Sequence, residues 1–309
     1  MYGMPGGDCP SSLDAEAPGW FRDALAVEHE LHRVEVGGAT VEAIAWGRRG
    51  RPGLLFAHGM LAHARWWDFI APLLSDDFRC AALSFSGMGH SGWRERYSMR
   101  TYVDEMAAVI AAAGLDAHSR RPVVVAHSFG SFAARRFAEW RGEELGGVVL
   151  LDAPIRASTR YAPSQPPRSY FMKPYATVGD AVRSFRLVPQ QACANAFLVA
   201  HVAVQGLRRR DDHWIRSFDP QIRVRMMRVG YHAGLVRTAC PLAFVWGERS
   251  ALLTDVAREQ ARQMYPLAPW IEIPDAAHHV MLDQPLALVA ALRGLLLSWP
   301  AHDSPAPAH

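Results

Sequence analysis

The sequence predicts an α/β architecture: a mostly parallel sheet with helices on both faces and a helical insertion. Three observations carry this. Short, continuously apolar runs alternate with stretches of helical periodicity, as expected of strands buried on both faces and joined by helical crossovers. The alternation stops between Pro154 and about Arg237, a gap far longer than the loops of compact domains. The chain has 309 residues, 50% hydrophobic and 20% charged, enough to bury a large core and unlike disordered, collagen-like or coiled-coil chains.

Residues 1–14 are rich in Gly, Pro and Ser and lack an apolar h-region, so a disordered tail is expected rather than a secretory signal. Leu31–Val36 and Thr40–Trp46 form a hairpin around Gly37-Gly38. Buried strands follow at Gly53–His58, Phe78–Phe85, Pro122–His127, Gly147–Asp152, Pro241–Gly247 and Trp270–Ile273. Helical spacing fits Tyr102–Ala113, Phe129–Trp140, Asp255–Tyr265 and Pro285–Leu297. The gap opens with the Pro-rich stretch Tyr161–Arg168 and continues with helix-like pieces at Val178–Leu187, Gln191–Val204 and Gln221–Val229. The expected domains are a core of residues 15–153 and 238–300, a helical cap of 154–237 and a disordered tail of 301–309. Leu286–Trp299 is cut by Arg293, so no membrane span is predicted.

Charge is unevenly placed. From Ala153 to Cys240 there are 14 Lys and Arg against 4 Asp; the chain's net charge of +3 therefore hides a basic insertion and an acidic remainder. Arg156, Arg160, Arg183 and Arg186 could include a carboxylate ligand, but a solvated basic face explains most of them. No nucleic-acid motif accompanies the charge, so that partner is not predicted. Cys9, Cys80, Cys193 and Cys240 lie far apart without a CxxC, which fits a reduced, cytoplasmic setting with cysteines as small core residues. No HxxxH or His/Cys cluster suggests a metal, and no cofactor is expected.

The chemistry centres on Val123-Val-Val-Ala-His-Ser128-Phe-Gly130, an apolar strand running into a small-residue helix with a serine at the junction. This fits the G-x-S-x-G nucleophile elbow with Ala126 at the first glycine position. A serine that merely caps the helix would look similar, so other motifs must decide. Upstream, the strand from Gly53 ends in His58-Gly59-Met60, followed later by Ser86-Gly-Met-Gly-His-Ser91. Downstream stands Ala276-Ala-His278-His-Val-Met-Leu-Asp283-Gln-Pro285.

Together these segments, in this order from about Leu31 to Leu297 and excluding the insertion, resemble the α/β-hydrolase family of serine hydrolases. The resemblance implies Ser128 as nucleophile, His278 as general base and acid, and the backbone N–H groups of Met60 and Phe129 as the oxyanion hole. His279 competes with His278, but spacing to Asp283 and Pro285 favours His278. His58 is expected to order the oxyanion turn, and His127 to point into the core; His90, His201 and His232 read as structural.

The acid departs from the family pattern. Where a carboxylate usually follows the penultimate strand, Val245-Trp-Gly247-Glu-Arg-Ser250 offers a serine. Asp152, at the tip of the preceding strand, is the favoured alternative, as in the lipases and haloalkane dehalogenases that carry their acid there. Glu248 and Asp255 remain open, although Thr254-Asp255 also reads as a helix start. Position 128 is not Asp, which excludes the aspartate-based chemistry of the fold. Leu61, Trp66, Trp67 and Phe171, with Tyr170 and Phe197, are candidates to line an apolar substrate pocket, although core packing explains most such rings. The expected activity is hydrolysis of a small-molecule carboxylic ester with an apolar acyl or aryl group through an acyl-enzyme. C–C, amide or thioester cleavage, and a non-catalytic ligand-binding protein on the same fold, are the alternatives. Oligomeric state is left open.

Overall fold

A computed structural model describes residues 17–155, 169–226, 237–252 and 254–299. After a helix α1 (Gly19–Ala26), strands β1 (Glu30–Val36) and β2 (Ala39–Trp46) form the expected antiparallel hairpin. Gly37 and Gly38 both take positive φ, 49° and 80°, the backbone that a tight two-residue hairpin turn demands. Then come β3 (Gly53–Ala57), β4 (Arg79–Leu83), helix α2 (Met99–Ala113), β5 (Val123–His127), helix α3 (Gly130–Arg141) and β6 (Gly147–Leu151). Ser98 caps α2 by accepting the Thr101 N–H, and Gly114 ends it in the left-handed region.

Between β6 and the next core strand lie helices α4 (Val178–Arg183) and α5 (Ala196–Gln205), strands β7 (Leu207–Arg210) and β8 (His213–Arg216), and helix α6 (Ile222–Met226). The core resumes with β9 (Leu242–Gly247), helix α7 (Asp255–Met264), β10 (Trp270–Ile273) and helices α8 (Val280–Asp283) and α9 (Pro285–Ser298). Thr254 caps α7 as the sequence suggested.

The eight-stranded sheet runs β1-β2-β4-β3-β5-β6-β9-β10. From β4 onward all neighbours are parallel; β1 and β2 are antiparallel additions at one edge. The chain order reverses beside β3, so the carboxyl ends of β3 and β5 flank a switch point, where open sheets of this kind leave a crevice. Side chains alternate between two apolar layers. Leu55, Ala57, Val124 and Ala126 face α2, α3 and α7 on one side. Leu54, Phe56 and Val125 face α1 and α9 on the other.

The insertion corrects one expectation. It is not wholly helical: β7 and β8 pair antiparallel across Asp211-Asp212, with Asp211 at φ 52°. Leu-Arg-Arg-Arg has neither the apolar run nor the alternation that marks a strand, which is why the sequence did not predict it. Helix α1 was likewise not anticipated. The predicted helix 178–187 ends at Arg183, and 191–204 begins only at Ala196. The tails 1–14 and 301–309, the Pro-rich 161–168, Cys9, His232, Arg156 and Arg160, and the end of the predicted helix 221–229 lie outside the described residues. Among the described residues no helix is long and apolar enough to cross a membrane.

Candidate active site

Strand β5 delivers Ser128 with φ 48°, a left-handed backbone that a non-glycine residue adopts only under constraint. The Ser128 N–H donates to the Leu151 carbonyl at 3.1 Å, and α3 begins two residues on. Gly130 is required by close approach: a Cβ there would lie 2.7 Å from the His58 carbonyl oxygen and 3.0 Å from that of Ala57. Ser128 itself is half-buried.

His278, in the loop after β10, faces Ser128 with Nε2 3.0 Å from Oγ. Its Nδ1 lies 2.6 Å from Asp152 Oδ2. A carboxylate only accepts, so Nδ1 carries the proton and Nε2 presents a lone pair to the Ser128 hydroxyl. Asp152 follows β6 at φ 43°, fully buried, its N–H held by the Val245 carbonyl at 2.7 Å. Two further donors reach its carboxylate: Ser250 Oγ to Oδ2 at 2.7 Å and the Gly247 N–H to Oδ1 at 3.2 Å. Ser250, where the resemblance would place the acid, thus hydrogen-bonds the Asp152 carboxylate one strand earlier.

The other carboxylates are engaged elsewhere. Glu248 accepts the Asp275 N–H at 2.9 Å. The Asp255 side chain is 98% exposed and lies 3.7 Å from Arg258.

His58 holds the turn after β3. Its Nε2 accepts the Phe85 N–H at 3.0 Å, which leaves Nδ1–H to donate to the Gly59 carbonyl at 2.7 Å. Burial pushes its imidazole down to about 4, so it stays neutral and the acceptor persists. In the same turn the Ala62 N–H returns to the Gly59 carbonyl, and the Leu61 N–H points at Met88 Sδ, 3.2 Å away. The Met60 N–H has no hydrogen-bond acceptor among the described residues. Phe129 is the N-cap residue of α3, its ring buried edge-on to Phe85, Tyr102 and Phe132.

The candidate pocket residues separate. Met60 and Leu61 are partly buried against the apolar layer that contains Phe129 and Ile155, as is Tyr170. Two expectations are corrected. Trp67 is fully buried against Phe56, ring centroids 5.0 Å apart, because the 3-10 turn Ala64–Trp67 folds it beneath the sheet. Phe171 is 86% exposed, while its neighbour Tyr170 packs on Phe218. Trp66 is buried too, its ring 5.4 Å from that of His279. Phe197 packs on Trp20 and Phe21 of α1.

Folding also gathers His127, His278 and His279, with one ring nitrogen of each within 4.8 Å of the others. Sequence spacing shows no such cluster, because His127 ends strand β5 while His278 and His279 come from a distant loop. His127 is buried as expected, and its Nε2–H donates to the His278 carbonyl at 2.9 Å. Both His278 nitrogens already face Ser128 and Asp152, so a metal here would have to displace those contacts. Two concavities, of about 40 and 790 Å³, lie at the opposite ends of the strands, beside Gly53 and Val123 at the start of β3 and β5 and beside Gly47 and Arg79 where β2 ends and β4 starts.

The insertion docks on the core around this site. Asp219 accepts from Tyr97 Oη at 2.7 Å and Arg225 Nη1 at 2.9 Å; Ser217 and Arg208 donate to the Gly89 carbonyl. His201 of α5 meets Asp68 at 3.1 Å. Sequence reasoning had no signal for the pairs that join insertion to core, since each links residues more than a hundred positions apart; only Arg225 and Asp219, both in the insertion, are near neighbours in the chain.

A family model described as the alpha/beta hydrolase family matches residues 54–292. The chain is 27% identical over 281 residues to "Esterase Rv0045c" of Mycobacterium tuberculosis, covering 86% of this chain and 89% of that one. It is 33% identical over 118 residues to the human "Serine hydrolase-like protein", 37% of this chain and 56% of the other. The crystal structure of the mycobacterial esterase superposes with a TM-score of 0.65 at 20% identity, covering 96% of this chain and 100% of that one. That of E-2-(acetamidomethylene)succinate hydrolase gives 0.71 at 19% identity, over 88% of this chain and 100% of the other. The described switch-point geometry and these matches agree: the chain belongs to the alpha/beta hydrolase family.

Proposed function

We propose that the protein is a serine hydrolase that cleaves a carboxylic ester with an apolar acyl or aryl group. The observation that carries this is the continuous line from the Ser128 hydroxyl through both nitrogens of His278 to a buried, triply hydrogen-bonded Asp152. Ser128 Oγ attacks the ester carbonyl while His278 Nε2 takes its proton. Asp152 holds the imidazole in the required tautomer and stabilises its positive charge. The oxyanion is received by the N–H groups of Met60 and Phe129, at the positive end of α3. Collapse expels the alcohol, which takes the proton from His278. Water, activated by the same imidazole, then releases the acid and restores Ser128.

The apolar acyl preference is supported by Met60, Leu61 and Tyr170, half-buried against the layer that holds Phe129. The described part of the insertion, residues 169–226, acts as a cap over this site. A fluorophosphonate probe should label the wild type at Ser128 and not Ser128→Ala, and the alanine variant should lose several orders of magnitude in turnover of 4-nitrophenyl esters. Hydrolysis by Ser128→Ala at near wild-type rate overturns the assignment.

A further inference from the structure

His278 sits in the loop after β10, and its backbone is held by side chains at three successive positions. The Ala277 N–H donates to Asp283 Oδ2 at 2.8 Å, the His278 carbonyl accepts from His127, and the His279 N–H donates to Gln191 Oε1 at 3.0 Å. The last of these partners belongs to the insertion. Gln191 closes a ring by donating its Nε2–H to the same Asp283 Oδ2, at 2.8 Å. Four residues on, Asn195 Nδ2 donates to the Leu282 and Asp283 carbonyls at 2.8 and 3.1 Å.

Asn195 stands at the N-cap of α5, where an asparagine ordinarily accepts a helix N–H. Its side chain makes no such bond and is committed instead to the end of α8, the short helix that follows His278 and His279. Gln191 lies ahead of the helix, in a stretch without regular structure. Both residues give up local use of their amides to reach across to residues 279–283.

We propose that Gln191 and Asn195 are positioning residues for His278, so that docking of the insertion and assembly of the Ser128–His278–Asp152 line are one event. This rests on the reading of His278 as the general base. The insertion is then more than a roof: lifting it frees the peptide that follows His278, and the imidazole loses its aim at Ser128. An undocked enzyme is idle even toward a small substrate that needs no roof.

The test uses the full chain and 4-nitrophenyl acetate. Gln191→Met keeps length and removes both hydrogen bonds. It should lower kcat about tenfold or more, with KM within about twofold, each lost bond being worth roughly 2- to 13-fold. Gln191→Met with Asn195→Ala should approach about 100-fold by the same reckoning. The rate of fluorophosphonate labelling at Ser128 should fall in parallel with kcat.

Gln191→Glu supplies a readout that a merely structural role does not move. It keeps the acceptor for the His279 N–H but sets a second carboxylate against Asp283. Asp283 already lies above the usual carboxylate range through burial; it also faces the Ala277 N–H, the Cys193 thiol and, more distantly, Arg249. Two carboxylates so close share a proton. This variant should therefore work well near pH 5.5 relative to Gln191→Met, and lose activity as pH rises toward 8, an alkaline limb absent from the wild type. If Gln191→Met does not fold, this pH profile decides alone.

Unchanged kcat in folded Gln191→Met, or a Gln191→Glu profile that superimposes on the wild type, overturns the proposal. A wild type that reacts with the phosphonate elsewhere than Ser128 overturns the reading of the site instead.

Discussion

Asp152→Asn tests the electrostatics of the site most sharply. In the native site Oδ1 accepts the Gly247 N–H, while Oδ2 accepts from both His278 Nδ1 and Ser250 Oγ. An asparagine has one acceptor and one donor end. Aiming its NH2 at Gly247 would set two donors 3.2 Å apart in a buried pocket. The opposite orientation satisfies Gly247, lets Ser250 accept, and points an N–H at His278 Nδ1. That forces the imidazole proton onto Nε2, facing Ser128, where it cannot act as a base. The loss should be about 10⁴-fold in kcat, or about 5.4 kcal/mol, with the fold intact. Steady-state hydrolysis of a 4-nitrophenyl ester beside a thermal melt measures both. Retention of activity within about tenfold refutes the argument from donor and acceptor ends. Asp152→Ala with Ser250→Asp should recover part of the activity, because position 250 already sits within hydrogen-bond reach of the acid.

Ser250→Ala should cost about tenfold or more in kcat, since a hydrogen bond to a buried carboxylate is worth about 1.5–3 kcal/mol; kinetics within twofold of wild type would contradict this. Glu248→Gln and Asp255→Asn should stay near wild type in the same assay, because neither carboxylate contacts His278. Trp67→Ala should destabilise the fold by about 3–5 kcal/mol in urea titrations, whereas Phe171→Ala should change stability by less than about 0.5 kcal/mol and leave KM unaltered. Stability should fall as pH drops from 7 to 5. His58 and His279 stay neutral in the folded chain, at about 4 and about 3, but charge near 6.5 once unfolded. The unfolded state therefore binds more protons between those values, and the loss from His58 alone between pH 7 and 5 is on the order of 2 kcal/mol. Equal urea midpoints at pH 7 and 5 would rule this out.

The sheet was legible in the sequence because a strand buried on both faces must be apolar throughout. Phe56, Val125 and Val149 announce themselves without neighbours. The elbow was legible for a similarly local reason: Ser128 at φ 48° and Gly130 pressed on the end of β3 allow few residue types at those positions. His278 was legible by its spacing to Asp283, whose carboxylate ties the loop back to Ala277.

What the sequence left open is what depends on where distant strand tips meet. Position 250 read as an acid site lacking its acid; only the adjacency of β6 and β9 shows its hydroxyl on Asp152. Trp67 and Phe171 are both apolar and near motifs, and composition cannot say that one lies under the sheet and the other faces water. Gln191 and Asn195 carried no signal at all, because an amide on a peptide 88 or 87 residues away obeys no periodicity. Local sequence determines which segments become strand, turn and helix, since backbone sterics and burial act over a few residues. Which side chains face one another across loop ends is decided by tertiary packing, where contacts have no fixed separation along the chain.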